Sequence, residues 1–316
     1  MKINSRKSFI CGLKGLKLSK KEINFLRKYK PWGIILFSRN IKNIKQVQIL
    51  TSKIKKIFKD QNYPILIDEE GGNVSRLNKI IDTSIFSAKS FGDLFKKDKR
   101  KFEVFFKVYV DQISYLLRNI GINLNTVPVL DVTHPKTSKV IGTRSYSTNP
   151  STVSAIGDTC INYFHNQRIG TIIKHIPGHG LAQKDSHKIK PIVKSGLKSL
   201  KSDFNVFKNK KSIFAMTAHI VYKHIDPLNT VTHSKKLIKL IRNTIKFKNI
   251  IISDDLSMAA LSYSIEKNTQ KAFSAGCNLV LHCNGNMQEM LKVAKNSPKV
   301  NSFIIKKTLI FNNIIS

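Results

Sequence analysis

The chain has 316 residues, 41% of them apolar, with 18 Phe and one Trp; that is enough to bury the core of one large domain or two, and it excludes a disordered chain or a disulfide-held mini-protein. Lys and Arg number 55 against 19 Asp and Glu, a formal charge of +36. Such an excess invites a nucleic-acid or membrane-surface role, but nine of the 55 are Arg and 46 Lys, scattered among abundant Ile and Asn, a composition that AT-biased coding produces without selection for binding.

Cys11, Cys160, Cys277 and Cys283 form no CxxC pair or metal-type cluster, which reads as reduced thiols and a cytoplasmic setting. The first twenty residues are basic but carry a charge every few positions, unlike a signal peptide, and no window approaches the roughly 18 apolar residues of a membrane span. A membrane partner is not expected.

In chain order, eight β-branched runs stand out: Ser8 to Leu13, Trp32 to Phe37, Tyr63 to Asp68, Ile122 to Leu130, Thr171 to Ile176, Ile213 to Ile220, Asn249 to Asp254 and Asn278 to Cys283. Between them, lysines recur at helical offsets with Leu and Ile on the other face, as in Lys53, Lys56 and Lys59 or Lys235, Lys239, Arg242 and Lys246. Eight βα units in about 300 residues predict an α/β fold, a single (β/α)8 TIM-type barrel, with a doubly wound sheet as the competitor. No Pro/Gly/Ser linker divides the chain, so one catalytic domain over residues 1–316 is expected, and the stretch after Cys283 reads as barrel-closing scaffold. No basic and aromatic interleaving or helix-turn-helix spacing appears, so no nucleic-acid partner is expected. The 20-residue stretch from Asp131 to Pro150 is neither strand nor helix, and long loops in compact domains are usually functional.

With so few carboxylates, their positions carry weight. Asp68 closes one strand, Asp131 another, and Asp254 with Asp255 follows Ile-Ile-Ile-Ser. Asp131 and Asp255 read equally well as helix N-caps, whereas Asp68 and Asp254 end runs apolar enough to place a carboxylate in a partly desolvated mouth, where it is costly unless used or paired. The densest group is Lys174-His175-Ile176-Pro177-Gly178-His179-Gly180, followed after four residues by Asp185-Ser186-His187. Three His and an Asp could suggest a metal, but no HxH or HxxxH pair on a regular element converges, so no metal is expected. An Asp two residues before a His can hold the imidazole and stabilise its cation, making His187 a general acid/base; a loop-stabilising Asx turn is the alternative.

These residues resemble a known family. Lys174 to His187 (KHIPGHG-x4-DSH) looks like the hallmark of the family 3 glycoside hydrolases that act as β-N-acetylglucosaminidases in bacterial cell-wall recycling. Ile67 to Leu77 (IDEEGGNVSRL) and Ile141 to Tyr146 (IGTRSY) resemble two further segments, and Met216 to His219 and Ser253 to Met258 complete the set in the family's order. The departures are Tyr146 where Phe is usual and Ile176 where Phe is frequent, which bear on loop packing.

The resemblance implies a (β/α)8 barrel. It implies that Asp254 is the nucleophile forming a covalent glycosyl-enzyme, that His187 protonates the leaving oxygen and then activates water, and that Asp185 orients His187. It also implies that Asp68, Arg76, Arg144, Lys174 and His175 bind a terminal GlcNAc. No cofactor is implied. The expected substrates are peptidoglycan fragments, GlcNAc-anhydroMurNAc with or without peptide, whose carboxylates a cationic mouth would attract. The activity implied is retaining exo-hydrolysis by a monomer. An imidazole already titrates near 6.5 without strong burial, and it repels anions less than a carboxylate does, so a β-GlcNAc phosphorylase is the runner-up beside a broader β-hexosaminidase. An inactive barrel binding polyanions is the distant alternative.

Overall fold

The computed structural model describes residues 3–186 and 188–316. Ten strands are present among them: β1 (Lys7–Gly12), β2 (Pro31–Leu36), β3 (Ile65–Ile67), β4 (Leu124–Asn125), β5 (Gly170–Ile176), β6 (Ile192–Val193), β7 (Phe214–Thr217), β8 (Val221–Tyr222), β9 (Ile250–Asp255) and β10 (Leu279–His282). Eight of them close into a parallel barrel in the order β1-β10-β9-β7-β5-β4-β3-β2, while β6 and β8 pair as a separate two-stranded ribbon. The eight expected runs are the eight staves, so the fold is the (β/α)8 barrel and not the doubly wound sheet.

Several staves are shorter than their apolar runs, β4 and β3 among them. The run from Ile122 to Leu130 narrows to the two residues of β4, because Pro128 has no N–H to give the ladder; pairing resumes at a bridge between Val129 and Lys174, where the Pro128 carbonyl accepts the Lys174 N–H at 3.1 Å and the Leu130 N–H reaches the Lys174 carbonyl at 2.7 Å. β3 starts only after Pro64, which has no N–H to give the ladder; Tyr63 before it stacks on Phe58 at 4.0 Å and donates its hydroxyl to the Pro31 carbonyl.

Helices follow the barrel strands: α1 (Lys20–Tyr29), α2 (Ile44–Phe58), α3 (Ala88–Lys97), α4 (Lys99–Asn119), α5 (Pro150–Asn166), α6 (Leu197–Asn205), α7 (Lys235–Asn243), α8 (Ile265–Ala275), α9 (Met287–Asn296) and α10 (Ser302–Ile315). Their starts are written locally. Ser19 and Glu22 form a reciprocal capping box on α1, Asn149 caps α5 ahead of Pro150, and Asn43, Ser87, Ser234 and Ser264 each accept from the first turn of their helices. In α2, Val47, Leu50, Ile54 and Phe58 are buried at helical spacing while the lysines face out. None of the described helices is long and apolar enough to cross a membrane.

The lower end of the barrel is stopped by α10. Phe311 meets Phe214 edge-on, with ring centroids 5.5 Å apart, and the Trp32 indole N–H donates to Thr308 Oγ1 at 2.9 Å. The fit excludes even a methyl group at the start of β5, where a Cβ on Gly170 would lie 2.5 Å from the Phe311 ring. Above this stopper the bore is filled by Ile10, Leu66, Leu124, Ile172, Ile250 and Leu279, and the first polar layer appears only where the strands end.

Candidate active site

The C-terminal ends of the staves surround a cavity of ≈ 300 Å³. Met216 of β7 and Leu281 of β10, both part of the apolar bore, line it from below; Asp68, Glu70, Arg76, Arg144, Lys174, His175 and Asp254 supply its polar wall. Six of the eight residues singled out in the sequence therefore share one cavity.

The β3 side carries an alternating lattice of charge. Asp68 Oδ2 faces Arg76 Nη2 at 3.2 Å, its Oδ1 faces Lys174 Nζ at 3.3 Å, and Thr126 donates to the same Oδ1. Lys174 Nζ also reaches Glu70 Oε1 at 2.5 Å and Thr126 Oγ1 at 2.8 Å. Arg144 grips Glu70 through two parallel bonds of 2.8 and 2.9 Å, the bidentate geometry that suits guanidinium and carboxylate. Burial alone would raise both acids. Lys174 and Arg76 overcome it at Asp68, which is driven far below the carboxylate range, and Arg144 with Lys174 does so at Glu70, held at about 2. Burial would likewise strip charge from Arg144, but Glu70 pushes its pKa further up.

Lys174 and His175 are consecutive, yet both line the cavity. A regular strand would turn one of them outward. The pairing of β5 with β7 shifts register between Lys174 and Ile176, and such an irregularity re-aims a side chain at the rim of a sheet. His175 is then fixed by Asp131: its Nδ1 lies 2.6 Å from Asp131 Oδ2, and Asp131 Oδ1 accepts the backbone N–H groups of His175 and His179 at 3.3 and 2.6 Å. Asp131 is fully buried and is no helix cap. Desolvation is outweighed there by the two imidazoles and these bonds, so it too stays low.

Asp254 enters from the end of β9. Its carboxylate accepts the Asp255 N–H at 2.8 Å. Burial opposes its ionisation, but His219, His175, the Asp255 N–H and Lys174 together hold its pKa below the ordinary value. Arg144 is engaged with Glu70. His219 Nδ1 lies 2.7 Å from Thr232 Oγ1, and its Nε2 is 2.9 Å from the Asp255 carbonyl, so it also braces the chain that carries Asp254. Asp255 turns away from the cavity and ties Ser257 and the Cys283 N–H together.

The loop leaving β5 brings His179 and Ser186 to the cavity wall. His179 Nε2 is 3.4 Å from Ser186 Oγ, and desolvation lowers its pKa to about 4. Asp185 is half-buried and its carbonyl accepts from the Lys188 and Ile189 N–H groups. His187, the expected acid/base, lies outside the described residues. Among the described residues no three His, Cys, Asp or Glu groups are placed to hold a metal.

Sequence reasoning assigned no role to Glu70 or His219 and left Asp131 open between a site acid and a helix cap. The motif segments already contained Glu70 and His219, but which of Glu69 and Glu70 turns inward is a backbone matter. Glu69 faces the following turn, accepting from the Arg76 and Leu77 N–H groups and from Thr83.

The glycosyl hydrolase family 3 N-terminal domain model matches residues 6–308. A β-hexosaminidase of Haemophilus ducreyi is 32% identical over 289 residues, 87% of this chain and 80% of that protein. One of Neisseria meningitidis serogroup B is 31% identical over 80% of this chain and 71% of its own length. The structure of NagZ from Neisseria gonorrhoeae in complex with N-trifluoroacetyl-D-glucosamine superposes with a TM-score of 0.86 at 27% identity, covering 97% of this chain and 90% of that one. A closed parallel barrel whose upper end gathers ionised carboxylates beside Lys, Arg and His thus coincides with a family match over nearly its whole length: the chain belongs to glycosyl hydrolase family 3, among its β-hexosaminidases.

Proposed function

We propose that this protein is an exo-acting β-N-acetylglucosaminidase that removes the terminal non-reducing β-linked GlcNAc from peptidoglycan fragments with retention of configuration. The observation that carries the reading is Asp254, an acid kept ionised although it sits in a cavity at the small end of the roughly 300–1,000 Å³ range of ligand pockets. That space suits one sugar ring. An ionised carboxylate there serves a nucleophile that must meet positive charge developing at an anomeric carbon.

In the proposed course, the Asp254 carboxylate attacks the anomeric carbon while His187 gives its proton to the departing glycosidic oxygen, leaving a glycosyl ester. His187, now neutral, takes a proton from water as that water attacks the same carbon, and Asp254 leaves as carboxylate. Asp185 supports the cationic imidazole. Asp68, Arg76, Arg144, Lys174 and His175 are assigned to the sugar hydroxyls and acetamide, with Glu70 and Asp131 holding Arg144, Lys174 and His175 in place. The structural neighbour bound to an N-acylated glucosamine supports a hexosamine in this cavity. A reducing, cytoplasmic place of action fits four free cysteines, three of them buried.

The test is the first-formed anomer together with Asp254→Asn. The β anomer of GlcNAc should appear first, and kcat on an aryl β-GlcNAc should fall by ~10³ or more while the thermal unfolding curve stays cooperative. The α anomer appearing first, or a variant that keeps a tenth of the activity, overturns the assignment.

A further inference from the structure

The four basic residues assigned to the sugar are not held equally. Glu70 grips Arg144 twice, Lys174 reaches Asp68, Glu70 and Thr126, and Asp131 fixes His175. Arg76 is the exception. Among the described residues its guanidinium has one polar contact, the 3.2 Å bond from Nη2 to Asp68 Oδ2, and its Nε is buried without a hydrogen-bond partner. A single bond to one nitrogen does not fix the plane of the group. The other close neighbour is Phe37, whose ring centroid lies 5.3 Å from Arg76 Cζ.

Phe37 stands one residue past β2, at the rim of the barrel, and is itself firmly fixed. Its N–H donates to Asn40 Oδ1 at 3.0 Å and its carbonyl accepts the Asn40 N–H at 2.8 Å. Asn40 is fully buried and donates through Nδ2 to the Leu13 and Gly15 carbonyls at 3.1 and 2.9 Å. The Phe37 side chain packs on the apolar bore. A second guanidinium lies over the same ring: Arg39 Cζ is 4.7 Å from its centroid, with Nε donating to the Leu13 carbonyl at 2.8 Å and Nη2 to the Cys283 carbonyl. Nine Arg in 316 residues do not put two of them on one ring by abundance. The two cations feel each other, since burial lowers the Arg39 pKa most and the Arg76 charge acts in the same direction. The electron-rich faces of the ring offset that repulsion. Because two carbonyls already tie Arg39, Arg76 is the cation left for the ring to hold.

We propose that Phe37 is a positioning residue for the sugar site, its ring the platform on which the Arg76 guanidinium lies so that the donors Asp68 does not use are offered to the cavity. The inference rests on the hydrolase reading, in which Arg76 binds the sugar, and extends it to a side chain outside the cavity lining. A cation over an aromatic face gains more as water is excluded from it. Phe37 touches no reacting group, so its loss acts on how well the sugar is held and not on the bond-breaking step.

The test is a double-mutant cycle read on an aryl β-GlcNAc. Phe37→Leu keeps an apolar side chain and removes the aromatic face; KM should rise about three- to tenfold with kcat within about twofold. Phe37→Tyr, which keeps the face, should hold KM within about twofold of wild type. Arg76→Ala should raise KM by itself, and adding Phe37→Leu to it should cost less than about twofold more, because the platform then has nothing to hold. A KM unchanged by Phe37→Leu, an equal cost of that substitution with and without Arg76, or a Tyr variant no better than the Leu variant overturns the platform while leaving the hydrolase reading intact. Wild-type protein that releases no GlcNAc from the glycoside overturns both.

Discussion

At the lower end of the barrel Phe311, Phe214 and Trp32 fill the bore with aromatic carbon and one indole hydrogen bond; at the upper end the strand ends and the loops after them bury Glu70 against Lys174 and Arg144, and Asp131 against His175. The first arrangement gains free energy at about 25 cal/mol per Å² of apolar surface removed from water. The second desolvates ions at several kcal/mol each and recovers this only through near-ideal pairing. One end is built for persistence, the other for holding charge in fixed places at the expense of stability. The boundary between them is the layer of Met216 and Leu281, which belong to both.

The contrast is sharpest at Glu70. Glu70→Gln should strand Arg144 and Lys174 with too little counter-charge, lowering kcat/KM by roughly 10²-fold through misplaced substrate contacts and stability by about 3–5 kcal/mol, read by kinetics and denaturant unfolding. Phe311→Ala probes the other end: a cost of about 3–5 kcal/mol in unfolding free energy with kcat and KM on an aryl glycoside within about twofold. If the Phe311 variant loses activity while still folded, the two ends are not separable.

Acidification should show smaller, graded effects. Burial holds His165 and His179 near 4 against an ordinary 6.5. Between those values the unfolded chain binds protons that the folded chain refuses, so stability falls as pH falls from about 6.5 to 4. Below that, the depressed acids take over: Glu70 at about 2, with Asp68, Asp131 and Asp254 also lowered, contribute stability that is present above the ordinary carboxylate range and is lost as they protonate. A melting temperature that stays level from pH 6.5 to 4 would contradict the burial of these imidazoles.

The staves were legible because a strand covered on both faces must be a nearly unbroken β-branched run. The ribbon of β6 and β8 was not, since two-residue strands have no periodicity to read. In the site, Asp68 and Asp254 announced themselves by ending such runs. Asp131 did not, because an acid that meets a histidine 44 positions later is indistinguishable in one dimension from a cap. Glu70 was hidden beside Glu69, two adjacent carboxylates that the turn sends to opposite sides. The motif resemblance supplied order and roles, but the register shift that turns both Lys174 and His175 inward is a property of β5 against its neighbour and exists only in three dimensions.

Because apolar side chains fill the bore above α10, the cavity is closed from below by the described residues. Such a dead-ended cavity suits the end of a chain better than its middle, in keeping with the proposed exo action. Under the proposed activity the released sugar and the next substrate end share one opening, so free GlcNAc is expected to act as a competitive inhibitor, read as a rise in KM with unchanged kcat on an aryl β-GlcNAc.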